Sequence, residues 1–136
     1  MTFKPIAITQ GDAAGIGPEI IVKAFRDAPK QMQGCVVVGD WAVMQRAALL
    51  LVQCEPQTPH MQMALVSDVR EAAQVTAQFT IPVLQVAPPL AVDQLPAWGR
   101  IQAVAGQLAS DCVVWAAQAA LRGELAALVT APLHKE

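Results

Sequence analysis

Ile6-Ala7-Ile8-Thr9-Gln10-Gly11-Asp12-Ala13-Ala14-Gly15-Ile16-Gly17-Pro18-Glu19-Ile20-Ile21 is the stretch whose reading decides the fold. The apolar run Ile6–Ile8 suits a buried strand, and it empties into a polar, glycine-containing loop. Pro18 marks the start of a helix, because the first helical position has no intrahelical use for the N–H that proline lacks. Ile20, Ile21, Ala24, Phe25 and Ala28 then recur at helical spacing up to Pro29. Gly11, Gly15 and Gly17 permit positive φ and close approach of another group to the backbone. Two readings of this loop stay open. It is either a cradle for a phosphate or carboxylate at a helix N-terminus, or a tight strand-to-helix turn whose glycines serve geometry alone.

Downstream, the same grammar repeats. Cys35–Val38, between Gly34 and Gly39, predicts a second buried strand, and Asp40 is the expected N-cap of a helix carrying Val43, Ala47, Leu50 and Leu51. Short strands are expected at Met63–Val66 and Ile81–Val86, separated by proline-rich connections. The helix expected from Arg100 to Arg122 carries the apolar stripe Ile101, Val104, Ala105, Leu108, Cys112, Val113, Ala116 and Ala120. Gly123 is its stop signal. Ala126–Val129 reads as one more buried strand. Strands alternating with helices predict an α/β fold with a parallel sheet.

Composition narrows the function. The chain has 136 residues, 54% hydrophobic and 15% charged, with a mean hydropathy of +0.40, which excludes intrinsic disorder. Nine Lys and Arg against eleven Asp and Glu leave a net charge of -2, with no basic stripe to bind nucleic acid. Ala47–Val52, the longest purely aliphatic run, is far short of the roughly 18 residues a membrane span needs. The N-terminus does not read as a secretory signal. Cys35, Cys54 and Cys112 show no CxxC spacing and read as reduced packing residues of a cytoplasmic protein. Two histidines, His60 and His134, do not make up the three-ligand set usual for catalytic zinc. The loop matches neither the Walker A pattern nor the dinucleotide fingerprint, since Ile20 stands where the latter needs its third glycine.

Ile8–Ile20 closely resembles the N-terminal signature of the 4-hydroxythreonine-4-phosphate dehydrogenases of PdxA type. Leu128-Val129-Thr130-Ala131-Pro132-Leu133-His134-Lys135-Glu136 resembles their second motif. Ala13 stands where the family usually has Pro, and Ala131 where many members have Gly. The Thr-Ala-Pro-Leu form resembles the sister group acting on 4-phospho-D-threonate or 4-phospho-D-erythronate. The resemblance implies a three-layer α/β/α fold like isocitrate and isopropylmalate dehydrogenases, with two such domains about a cleft and assembly as homodimers. It implies NAD-dependent oxidation of a small phosphorylated hydroxy acid gripped by a divalent metal (Zn, Mg or Co), followed by decarboxylation. For pyridoxal phosphate biosynthesis that acid is 4-hydroxy-L-threonine 4-phosphate, with the D-threonate and D-erythronate phosphates as alternatives.

Members of the family run to more than twice this length, so the chain is expected to be an N-terminal portion. It is expected to be inactive alone, with the metal ligands beyond Glu136. Carried onto this sequence, His134 and Lys135 are candidates for catalysis, and Asp12, Gly15, Gly17, Glu19 and Thr130 for cofactor binding. A non-catalytic anion-binding module, or an assembly domain, are the competing readings.

Overall fold

A computed structural model of the chain describes residues 3–76 and 78–133. Five parallel strands, β1 (Ile6–Thr9), β2 (Cys35–Gly39), β3 (Gln62–Val66), β4 (Thr80–Gln85) and β5 (Ala127–Thr130), form one sheet in the order β3-β4-β2-β1-β5. Four helices connect them: α1 (Gly17–Asp27), the single turn α2 (Pro29–Met32), α3 (Trp41–Cys54) and α4 (Ala103–Leu121). Two 3-10 segments, Val69–Gln74 and Val92–Gln94, complete the connections.

The central strand β2 is buried throughout, and its side chains alternate between two cores. Val37 faces α1 and α3 with Ile21, Val22, Phe25, Met44, Ala47, Ile81 and Val83. Val36 and Val38 face α4 with Ala7, Leu108, Cys112 and Ala116. The expected three layers are therefore present. Pro82, inside β4, is in register with Ala64 of β3 and precedes the first pairing with β2 at Val83. Cys112 is fully buried, and burial, with the Asp111 and Asp40 carboxylates, pushes its thiol up to about 12. It is an inert packing group. Gly123 ends α4 with φ +79°, and the Glu124 N–H donates to Ala119 O, a Schellman-type closure.

Three details depart from the sequence reading. Ile20 is 45% exposed, because α1 packs through Ile21, Val22 and Phe25. Helix α4 begins at Ala103 rather than Arg100, leaving Ile101 before it and exposed, and Val104 in its first turn is exposed as well. The Arg100 N–H turns back to Ala97 O and the Gln102 side chain accepts from Ala97 N, so residues 97–102 form a loop. Strand β5 is mostly exposed instead of buried: among the described residues it is an edge strand that pairs with β1 and has α4 packed against it. An apolar tetrapeptide cannot by itself declare whether it is central or marginal.

Candidate functional site

All strands run parallel, so their carboxyl ends share one rim. From β1 the chain leaves through α1 on one face of the sheet, whereas β5 is reached through α4 on the other. In open α/β sheets ligands bind at the carboxyl ends of the strands. Asp12, Gly15, Gly17 and Glu19 follow β1 at this rim and Thr130 ends β5, in register with Thr9. The two motifs, more than a hundred residues apart in sequence, thus meet in space. His134 and Lys135 lie outside the described residues.

The contact between the motifs is backbone on backbone. Gly11 has φ +77°, and a Cβ there would sit 2.5 Å from Pro132 O. The Asp12 N–H donates to Pro132 O at 3.0 Å and the Ala131 N–H to Thr9 O at 3.1 Å. At Gly17 a Cβ would lie 2.5 Å from Gln10 O and 3.2 Å from the Ala131 side chain. These two glycines are demanded by packing. Gly15 is not, because a Cβ there would make only ordinary contacts with Asp12, starting at 3.4 Å.

Asp12 orders the loop from within. Its Oδ1 accepts from the Ala14 N–H at 2.9 Å and its carbonyl from the Gly15 N–H at 3.0 Å, an Asx-stabilised turn. The amides of Asp12, Ala14 and Gly15, on which an anion cradle would draw, are therefore already engaged. The first turn of α1 has no side-chain cap at Ile16. Glu19, half-buried in that turn, complements the positive end of the helix dipole. Thr130 is exposed at the end of β5.

Beside Asp12, a groove of about 460 Å³ runs along α4, bounded by Gln102, Gly106, Ser110 and Val113 and closed by Leu133. Its walls are mainly apolar, with the Asp12 carboxylate contributing from the loop. Among the described residues no group of three or more His, Cys, Asp or Glu could hold a metal ion, and His60 is exposed in a loop.

Two arrangements at the rim were missed by the sequence reading. The first is a buried polar network. Asp40 does cap α3, its Oδ1 accepting from the Val43 N–H at 3.1 Å, but its Oδ2 also accepts from Gln85 Nε2 at 2.7 Å and from the Leu90 N–H at 3.0 Å. Gln10 Oε1 accepts from the Asp40 N–H at 2.8 Å, with the Gln10 side chain lying over Gly39 where a Cβ would otherwise sit. Gln10, Asp40 and Gln85 stand at the carboxyl ends of β1, β2 and β4. A polar residue closing each apolar run was the available signal. The second is Arg46, which the apolar pattern of α3 conceals. Its Nη2 donates to Ala13 O at 2.9 Å and its Nη1 to Pro96 O at 2.6 Å, and its guanidinium lies 3.9 Å from the centroid of Trp98.

Comparison with known proteins decides the family. The model of the pyridoxal phosphate biosynthetic protein PdxA matches residues 31–136. The chain belongs to the PdxA family. Over its whole length the PdxA chain is 40% identical to a D-threonate 4-phosphate dehydrogenase of Salmonella typhimurium and 39% identical to a 4-hydroxythreonine-4-phosphate dehydrogenase of Beijerinckia indica. It covers 39% and 37% of those proteins, respectively. The crystal structure of 4-hydroxythreonine-4-phosphate dehydrogenase from Klebsiella pneumoniae superposes with a TM-score of 0.81 at 38% identity, over 98% of this chain and 38% of that one. The chain thus spans somewhat over a third of the relatives it matches. The family model begins after the glycine-rich loop, but the full-length alignments include it.

Proposed function

We propose that this chain is the N-terminal portion of a cytoplasmic, homodimeric, NAD-dependent dehydrogenase that oxidises and decarboxylates a phosphorylated hydroxy acid. The observation that carries this reading is the alignment of the whole chain, with both motifs at one rim, to proteins named as dehydrogenases of such acids. The same names support a small phosphorylated acid as substrate. The groove beside Asp12 fits part of a nicotinamide cofactor: its apolar wall suits a planar ring and the carboxylate can accept hydrogen bonds from hydroxyls. A divalent metal would supply Lewis-acid stabilisation of the oxygen at the oxidised carbon. The described residues offer no donor set for it, and the family resemblance assigns its ligands to the remainder of the longer proteins.

Identity to the D-threonate and 4-hydroxythreonine enzymes is nearly equal, 40% against 39%. On the proposed reading, substrate choice is set by parts of the longer protein outside the segment that this chain aligns with. Among the described residues, no helix is long and apolar enough to cross a membrane.

A chimera tests the proposal. This chain replaces the aligned segment of the Salmonella typhimurium enzyme, and NADH formation is followed with D-threonate 4-phosphate and with 4-hydroxy-L-threonine 4-phosphate. The expected kcat/KM is within about tenfold of the parent, a loss of no more than about 1.4 kcal/mol of transition-state stabilisation, with the parent's substrate preference retained. The 136-residue chain alone is expected to form no NADH. A folded but inactive chimera, or activity in the chain alone, would contradict the reading.

A further inference from the structure

Arg46 is a half-buried guanidinium with no carboxylate within ion-pair distance among the described residues. Its Nε is buried and has no hydrogen-bond partner among them. Withdrawing such a charge from water is costly unless fixed dipoles replace the lost solvation. The replacements come from two places far apart in sequence: Ala13 O in the glycine-rich loop, and Pro96 O with the Trp98 ring in the segment before α4. A third link joins the same two segments directly, the Gly99 N–H donating to Ala14 O at 2.7 Å. An apolar side chain at position 46 could fill the space, but it could not hold two carbonyls and a ring in fixed relation. The planar fork of arginine can.

We infer that Arg46 is a positioning residue that locks residues 96–99 onto residues 13–14, making the glycine-rich loop and the approach to α4 one rigid wall of the rim. The lock stands on geometry alone. Its consequence for catalysis rests on the dehydrogenase reading: loosening it displaces Asp12 relative to the groove along α4, and so weakens binding more than turnover.

Two variants test the lock in the 136-residue chain by hydrogen exchange. Arg46→Lys keeps the charge but loses the fork. Trp98→Leu removes the ring from a residue that is 38% exposed and leaves the core untouched. Amides of Gly15 and Gly99 report the lock, and those of Val37 and Val38 report the core. In Arg46→Lys both Gly15 and Gly99 are expected to exchange about tenfold faster, the equivalent of one net hydrogen bond, with Val37 and Val38 unchanged. Trp98→Leu is expected to give a smaller rise at the same two sites. Faster exchange at Gly99 with Gly15 unchanged would overturn the inference, as would equal acceleration at Val37, which would make Arg46 a support of the whole fold. In the active chimera, Arg46→Lys is expected to raise KM about tenfold with kcat held within about threefold. An unchanged KM there would refute the catalytic consequence, whereas an inactive parent chimera would refute only the dehydrogenase reading.

Discussion

Replacing Asp40 with alanine is expected to lower unfolding stability by about 3–5 kcal/mol, the range for breaking a buried charged network. Asp40 is fully buried and serves three donors from three parts of the chain: the Val43 N–H in the first turn of α3, the Gln85 side chain after β4, and the Leu90 N–H in the following loop. Loss of the N-cap alone costs about 1 kcal/mol. Each remaining donor left dry costs a further 1–3 kcal/mol, roughly, tempered at Leu90 where solvent can reach the amide. The loss is a large part of the about 5–15 kcal/mol that holds a domain of this size. Urea denaturation would measure it. Asp40→Asn, which keeps one acceptor oxygen, should fall between the two. A cost below about 1 kcal/mol for Asp40→Ala would mean that the network contributes no more than a helix cap.

Gly11→Ala is expected to cost about 3 kcal/mol, combining left-handed strain of about 1–2 kcal/mol with a steric conflict. The obstructing atoms, Pro132 O at 2.5 Å and the Ala131 carbonyl at 3.0 Å, are backbone and cannot rotate away. The two loops must separate, or the Asp12 N–H must give up Pro132 O. Gly106→Ala provides the opposite sign. That glycine lies within α4 with nothing within 4 Å of an added Cβ, so alanine should stabilise the chain by about 0.8–1 kcal/mol through helix propensity. Thermal or urea midpoints of the two variants moving the same way would contradict one of the two predictions.

What the sequence disclosed was mostly short-range chemistry. The strand before Gln10, Pro18 in the first turn of α1, the Asp40 cap and the Gly123 stop each depend on neighbours within a few residues, and each is found where it was expected. Exposure was less legible. Ile20 and Val104 carry apolar side chains at helical spacing, but which neighbouring stripe meets the sheet is set by tertiary packing. Edge placement of β5 depends on strand order, which periodicity does not encode. The polar links at the rim were the least legible. Gln10, Arg46 and Gln85 act on partners 30 to 50 residues away, and even the closing of an apolar run by Gln10 and Gln85 does not say which partners they meet. The glycine-rich loop was recognised, but its internal Asp12 bonds depend on a turn geometry that the residue pattern does not specify.

The central claim is that the loop after β1 and the loop after β5 form a single rim through direct backbone contact. Solution NMR of the chain tests it at one amide. The account predicts that the Asp12 N–H is protected from exchange and that the Gly11 α-protons show nuclear Overhauser contacts to Ala131 and Pro132. An Asp12 amide exchanging at the rate of an unstructured chain, with no contact between those residues, would contradict it.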